Sequence, residues 1–200
     1  MKRRGDTERE GKEKTRRLFR RVIHSALAVQ EEIKVSEWAE KYRVLDESSN
    51  LSGKWSNDVT PYLVEIMDTL NDPHIREVYL CKGSQLGGTE VLINMLGYLI
   101  SEEPGPTMIV YPSDDLAKDI SNDKLKPAFR LIPKVKKQFY ENASKELRLK
   151  FKNMTVYLRG AGSPSKLASK AIKYLSLTKL TRWEAHQKRG ISLQSCHGAY

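Results

Sequence analysis

One stretch limits the possible folds of this chain more than any other. Glu77-Val-Tyr-Leu-Cys81 has the β-branched and aromatic content of a buried strand, and it runs directly into Lys82-Gly-Ser-Gln-Leu-Gly-Gly-Thr89. An apolar pattern at helical spacing follows from about Thr89 to Ile100, then the turn Glu103-Pro-Gly-Pro106 and a second apolar run, Thr107-Met-Ile-Val-Tyr111. Strand, helix and strand of these lengths predict a parallel crossover, and hence an α/β fold built on a mainly parallel sheet. The glycine-rich turn also has a chemical consequence. The first N–H groups of a helix have no intrahelical partner, and a loop of this kind can gather them around an anion.

The flanking sequence extends the same pattern. Ser113 is placed to cap a further helix, with Asp114 and Asp115 suited to the positive end of its dipole; that is a better account of this acidic pair than a metal site. Leu147-Arg-Leu-Lys-Phe and Met154-Thr-Val-Tyr-Leu158 predict a hairpin turning at Asn153, and Ile172-Lys-Tyr-Leu-Ser-Leu177 predicts another buried strand. Upstream, Pro61 is expected at the first position of a helix that buries Leu63, Ile66, Met67 and Leu70. Ser36 is expected to cap a short helix before the polar segment Asp46–Gly53, where the main domain boundary falls. Before that, Met1–Arg21 is dominated by charge, and Leu18, Val22, Ala26 and Val29 predict a basic amphipathic helix reaching Glu32.

Composition narrows the class. A chain of 200 residues with 39% hydrophobic content can bury one ordinary core. Its formal charge of +10 favours a polyanionic partner, which releases condensed counterions on binding. Cys81 and Cys196 are isolated from each other and from any ligand pair, so neither a zinc knuckle nor a disulfide framework is indicated. No apolar run approaches the length needed to span a bilayer, so no membrane partner is expected.

The loop departs from standard phosphate-loop spacing in one respect. Gly87-Gly88-Thr89 keeps the final glycine and the hydroxyl, but Gly88 stands where a lysine belongs, and the lysine sits at the front of the loop as Lys82. Folded back, Lys82 can still neutralise β- and γ-phosphates while Thr89 ligates Mg²⁺. A plain glycine turn between strand and helix is the alternative.

Lys82-Gly-Ser-Gln-Leu-Gly-Gly-Thr89 is similar to the displaced-lysine phosphate loop of lambda-type phage terminase large subunits. The resemblance runs from Trp55 to Trp183 and includes Tyr111-Pro-Ser113 and Gly160-Ala-Gly-Ser-Pro-Ser-Lys-Leu-Ala-Ser-Lys170. It implies the N-terminal part of a P-loop NTPase-type three-layer α/β sandwich, incomplete, with residues 1–50 as a basic helical arm and 51–200 as the ATPase domain. It further implies ATP and Mg²⁺ as cofactors, double-stranded DNA as the translocated partner, a small terminase subunit and the portal of the procapsid as further partners, and the host cytoplasm as the setting. In that reading Lys82 is the catalytic cation. Gly83, Ser84, Gln85, Leu86, Gly87 and Gly88 line the phosphates with Lys82 and Thr89, and Thr89 holds the metal. Trp55 and Pro61-Tyr62 either line the adenine or pack in the core. Ser163, Lys166, Ser169 and Lys170 either contact phosphate or DNA, or form a polar loop stiffened by Pro164.

The resemblance breaks at one functional position. After the strand ending at Leu177 the family places an Asp-Glu pair, which handles Mg²⁺ and the attacking water; here stand Thr178 and Lys179. Arg182-Trp183 then resumes the pattern. Taken literally, these residues predict nucleotide binding without efficient hydrolysis. Leu177-Thr-Lys-Leu-Thr181 is also compatible with codons that spell Asp-Glu-Val-Asp when read one base earlier, and Cys196–Tyr200 shows a similar coincidence in the other direction. A slipped reading frame is therefore a second explanation, and the family's C-terminal nuclease region is expected to be missing. Three rivals follow: an inactive prophage remnant, a helicase-like ATPase of another family, and a basic nucleic-acid-binding module without nucleotide.

Overall fold

The computed structural model describes residue 16 and residues 33–46, 52–83, 85–162 and 170–178. Apart from Arg16, the amphipathic helix expected to reach Glu32 lies outside these residues, as do the loop residues Ser84, Ser163, Lys166 and Ser169, and Lys179 with everything after it. The elements below belong to the unit Lys34–Tyr200.

The first helix, α1 (Val35–Tyr42), follows Lys34, whose N–H donates to Glu37. Ser36 is therefore not its cap. Its N–H and hydroxyl both donate to the Asp68 carboxylate, each at 2.9 Å, which ties α1 to α2 (Tyr62–Asp68). The correction has a physical reason: a serine two residues beyond the N-cap lies within the first turn, and a carboxylate on a neighbouring helix competes successfully for its hydroxyl. Between these helices β1 (Val44–Leu45) and β2 (Gly53–Lys54) pair antiparallel. Pro61 precedes α2 by one position, and Leu63 and Met67 form its buried stripe, with Ile66 and Leu70 only half-buried.

Helix α3 (Gly88–Ser101) is the long apolar helix expected after the loop. Apart from the half-buried Leu92 and Met95, its residues from Val91 to Ile100 are buried, and it packs against α1, α2 and the later α6 (Pro133–Lys136), with the Trp38 ring laid across Gly97. A turn at 102–106 delivers the chain to β3 (Thr107–Tyr111), all five residues of which are buried. Ser113 then caps α4 (Asp114–Ile120) as expected, its hydroxyl accepting from the Leu116 N–H at 3.2 Å. A π turn at Ser121–Leu125 joins α4 to α5 (Lys126–Leu131). Pro127 has no N–H to give the preceding turn, and the wider turn accommodates that loss.

The sheet has the order β4-β5-β3-β6, where β4 is Arg148–Lys150, β5 is Thr155–Gly160 and β6 is Tyr174–Leu177. β3 pairs parallel with both β5 and β6, and β4 pairs antiparallel with β5 as the expected hairpin. The fold is thus mixed α/β on a mostly parallel sheet. Register puts Leu149, Val156, Leu158 and Ile109 on one face, all with no exposed surface, and Phe129 of α5 meets Phe151 edge to face at 5.5 Å.

The predicted strand at Glu77–Cys81 does not form. Residues 75–83 belong to no strand, and Val78, Tyr79 and Leu80 are 50%, 80% and 42% exposed. The crossover logic placed this segment beside β3, but both edges of β3 are taken, by β5 and β6, and residues 75–83 do not pair with the outer edge of β6 either. A strand needs a neighbour's N–H and C=O groups, and apolar composition does not supply them.

Candidate functional site

The three parallel strands end together, at Tyr111, Gly160 and Leu177, and in open α/β sheets the crevice beyond such carboxyl ends is where ligands bind. At the first end, Asp114 accepts a 2.6 Å hydrogen bond from the Gly160 N–H, so the start of α4 is tied to the end of β5. Asp114 thus holds two strand ends together besides facing the dipole of its own helix. At the third end, the N–H and the hydroxyl of Thr178 both donate to the Val110 carbonyl, at 3.0 and 3.1 Å. Thr178 completes the pairing of β6 with β3 and brings no charge to the crevice.

The glycine-rich loop enters α3 through a left-handed turn. Gln85 has φ of 59° and Gly87 has φ of 74°. Gly87 is also approached closely, because a Cβ there would lie 2.8 Å from Leu63 of α2. Left-handed geometry and lack of space together make glycine the fitting residue. The first intrahelical bond runs from the Val91 N–H to the Gly87 carbonyl at 3.0 Å. The N–H groups of Gly88 and Thr89 precede it and are the donors that a helix start leaves for an anion. Thr89 is exposed, so its hydroxyl is accessible to a metal ion or to water.

Lys82 lies across this helix start. An ideal Cβ on Gly88 would meet the Lys82 side chain at 2.2 Å from Cε and 3.3 Å from Nζ. The lysine at the front of the loop thus occupies the space from which a lysine at position 88 would grow. Its ammonium donates to the adjacent Gly83 carbonyl at 3.1 Å. Gly83, Gln85 and Leu86 are exposed around it, and Leu86 shows 45% of its surface.

The aromatic candidates separate. Trp55 is 5% exposed and donates its indole N–H to Asn57 at 2.9 Å, which is a packing role; Tyr62 is 53% exposed. Lys170 is exposed, with its ammonium 5.6 Å from the Tyr157 ring centre. Among the described residues no group of three or more His, Cys, Asp or Glu could hold a metal ion, and no helix is long and apolar enough to cross a membrane.

Sequence reasoning missed one group beside the loop. Arg43, 3% exposed, donates to Glu90 in the first turn of α3 at 2.7 Å, to Asn94 one turn on at 3.2 Å, and to the Val44 carbonyl at 2.5 Å. Burial lowers its pKa from the usual arginine value, and the Glu90 carboxylate works against that shift. No local pattern reveals a pair so far apart in sequence; the only sign was an arginine between the apolar residues Tyr42 and Val44.

The family model described as phage terminase large subunit gpA, ATPase domain, matches residues 49–194. The terminase large subunit of Enterobacteria phage P21 is 31% identical over 98 residues, which is 48% of this chain and 15% of that protein. The terminase large subunit of Escherichia phage lambda is 30% identical over 98 residues, with the same coverage of 48% and 15%. The chain therefore spans a small part of the length of these relatives. The family match covers the loop, the sheet and the strand ends alike, and this chain belongs to the ATPase-domain family of the phage terminase large subunits.

Proposed function

We propose that this domain is the ATP-binding motor module of a DNA-packaging terminase, holding ATP and Mg²⁺ at Lys82, Gly83, Ser84, Gln85, Leu86, Gly87, Gly88 and Thr89. The path of Lys82 across Gly88 supports this reading most directly. A phosphate site needs a cation at the helix start, and Lys82 is placed to supply it.

The residues present fit the cofactors. The N–H groups of Gly88 and Thr89 bind phosphate oxygens, Lys82 offsets their charge, and Gly87 lets the loop turn close to the ligand. Mg²⁺, when bound, supplies further charge neutralisation at the β- and γ-phosphates, and Thr89 is the residue that would hold it. Among the described residues, the end of β6 offers no group to take a proton from an attacking water. Thr178 spends its hydroxyl on Val110, and the next residue in the sequence is Lys179, which accepts no proton while charged. The chain as it stands is therefore a nucleotide binder with little turnover. Packaging of double-stranded DNA, with a small terminase subunit and the procapsid portal as partners, is the role of the longer protein in this reading, and the host cytoplasm is its setting.

Equilibrium titration with ATP in the presence of Mg²⁺ tests the site. Lys82→Ala should weaken binding roughly 30- to 100-fold, the worth of one hydrogen-bonded charge. Adding Gly88→Lys to that variant should restore much of the loss, because removal of the Lys82 side chain opens the space that a residue at 88 needs. Unchanged affinity in a folded Lys82→Ala protein would sink the phosphate-loop reading.

A further inference from the structure

We infer that Arg43 is a positioning residue for the phosphate loop, holding the Glu90 carboxylate neutralised and to one side of the α3 start so that it does not oppose a bound polyphosphate. The inference rests on the nucleotide-binding reading above and adds a residue pair to it.

The physical problem is one of sign. Glu90 follows Thr89 directly and lies in the first turn of α3. A carboxylate there suits the helix dipole, but it also stands next to the place where a triphosphate would bring several negative charges. Left unpaired, it would repel the ligand that the loop is shaped to receive. Arg43 answers this from outside the helix. It leaves the end of α1 as that helix's C-terminal cap residue, is buried, and reaches Glu90 at 2.7 Å while its Nε–H donates to Asn94 at 3.2 Å.

Asn94 is itself fully buried and donates to Met67 of α2, so the guanidinium is held by groups on α3 and by the Val44 carbonyl. One face of the pair opens on a small cleft lined also by Asp46, Asp123 and Lys124. These surroundings are mixed in sign, and within them Arg43 contacts the Glu90 carboxylate.

A structural role and an electrostatic role predict opposite signs for one variant. Affinity for ATP with Mg²⁺ and thermal midpoint are measured for the chain and for Arg43→Gln, Glu90→Gln and the double variant. If Arg43 screens Glu90, Arg43→Gln weakens binding about tenfold. Glu90→Gln binds as tightly as the parent or a few-fold tighter despite a lower midpoint, and the double variant recovers most of the loss. If the pair only holds the helices together, Glu90→Gln weakens binding as Arg43→Gln does, in step with the midpoint, and the inference is overturned while the loop reading stands. Should Arg43→Gln fail to fold, Glu90→Gln decides the question alone. Absence of ATP binding by the parent chain removes the loop reading and this inference with it.

Discussion

The two outer edges of the sheet are finished in different ways. At the β4 edge, every outward backbone group has a partner close by in sequence. The Lys150 carbonyl accepts from the Tyr140 N–H at 2.9 Å, and the Lys150 N–H donates to the Ser144 hydroxyl at 2.9 Å. Arg148 exchanges both its groups with Lys145, and its side chain and that of Lys150 point charge into solvent. At the β6 edge, among the described residues, no strand pairs outward, and Leu175 and Leu177 are 61% and 42% exposed. A charged, internally bonded edge resists further pairing, whereas an apolar open one invites it. The glycine-rich loop belongs to the second situation: it follows the exposed apolar side chains Val78, Tyr79 and Leu80. The partners of the defended edge lie within ten residues of it, whereas among the described residues the open edge has no strand beside it.

Truncating one leucine on each edge strand is the strongest way to test that contrast. Leu149→Ala removes a side chain with no exposed surface, packed where Val156 pairs beside it, and should cost about 2–5 kcal/mol in chemical denaturation. Leu175→Ala removes a side chain that is 61% in water and should cost less than about 0.5 kcal/mol. Similar losses in the two variants would mean that β6 is covered in solution and that the edges are not different in kind.

The contrast also explains what could be read from the sequence. β3, β4, β5 and α3 were legible because each carries a continuous or periodic apolar pattern and the partner it needs lies within the described chain, whereas Ile172–Leu177 was legible as a strand but not, as expected, a buried one: β6 leaves Leu175 and Leu177 61% and 42% exposed. Ser113 was legible as a cap because capping is local. Glu77–Cys81 looks like a strand by composition and fails as one because pairing is not a local property. Ser36 failed as a cap for a related reason: Asp68, far along the chain, takes its hydroxyl. In the loop, the missing lysine at 88 and the extra one at 82 were visible as a displaced charge, while Arg43 and Glu90 could be joined only by the packing of α1 against α3.

A smaller effect is expected from the hydrogen bond that closes the β4 edge. Ser144→Ala takes away the acceptor for the Lys150 N–H without touching the core, and should cost about 1 kcal/mol. Amide exchange at Lys150 should rise more than the global loss accounts for, since the group becomes an open-edge donor. Exchange at Lys150 that changes only with global stability would show that the edge is protected by burial and not by this bond.

The weakest tie in the comparison holds the start of β6. Lys173 and Tyr174 both donate to Glu103 in the turn before β3, at 2.8 and 2.7 Å. Burial alone would raise the Glu103 pKa, but these two hydrogen bonds outweigh it and hold the carboxyl below the usual glutamate range. A carboxyl depressed in the folded state adds stability that is full above its unfolded pKa and is lost as pH falls through the folded value. Glu103 is about half exposed, so solvent screens the pair, and Glu103→Gln should cost only about 0.5 kcal/mol at neutral pH. That difference between variant and parent should vanish in acid, below the ordinary glutamate range. A difference that persists there would assign the tie to the geometry of the turn, and β6 would then be held by its pairing with β3 and by packing, with no contribution from charge.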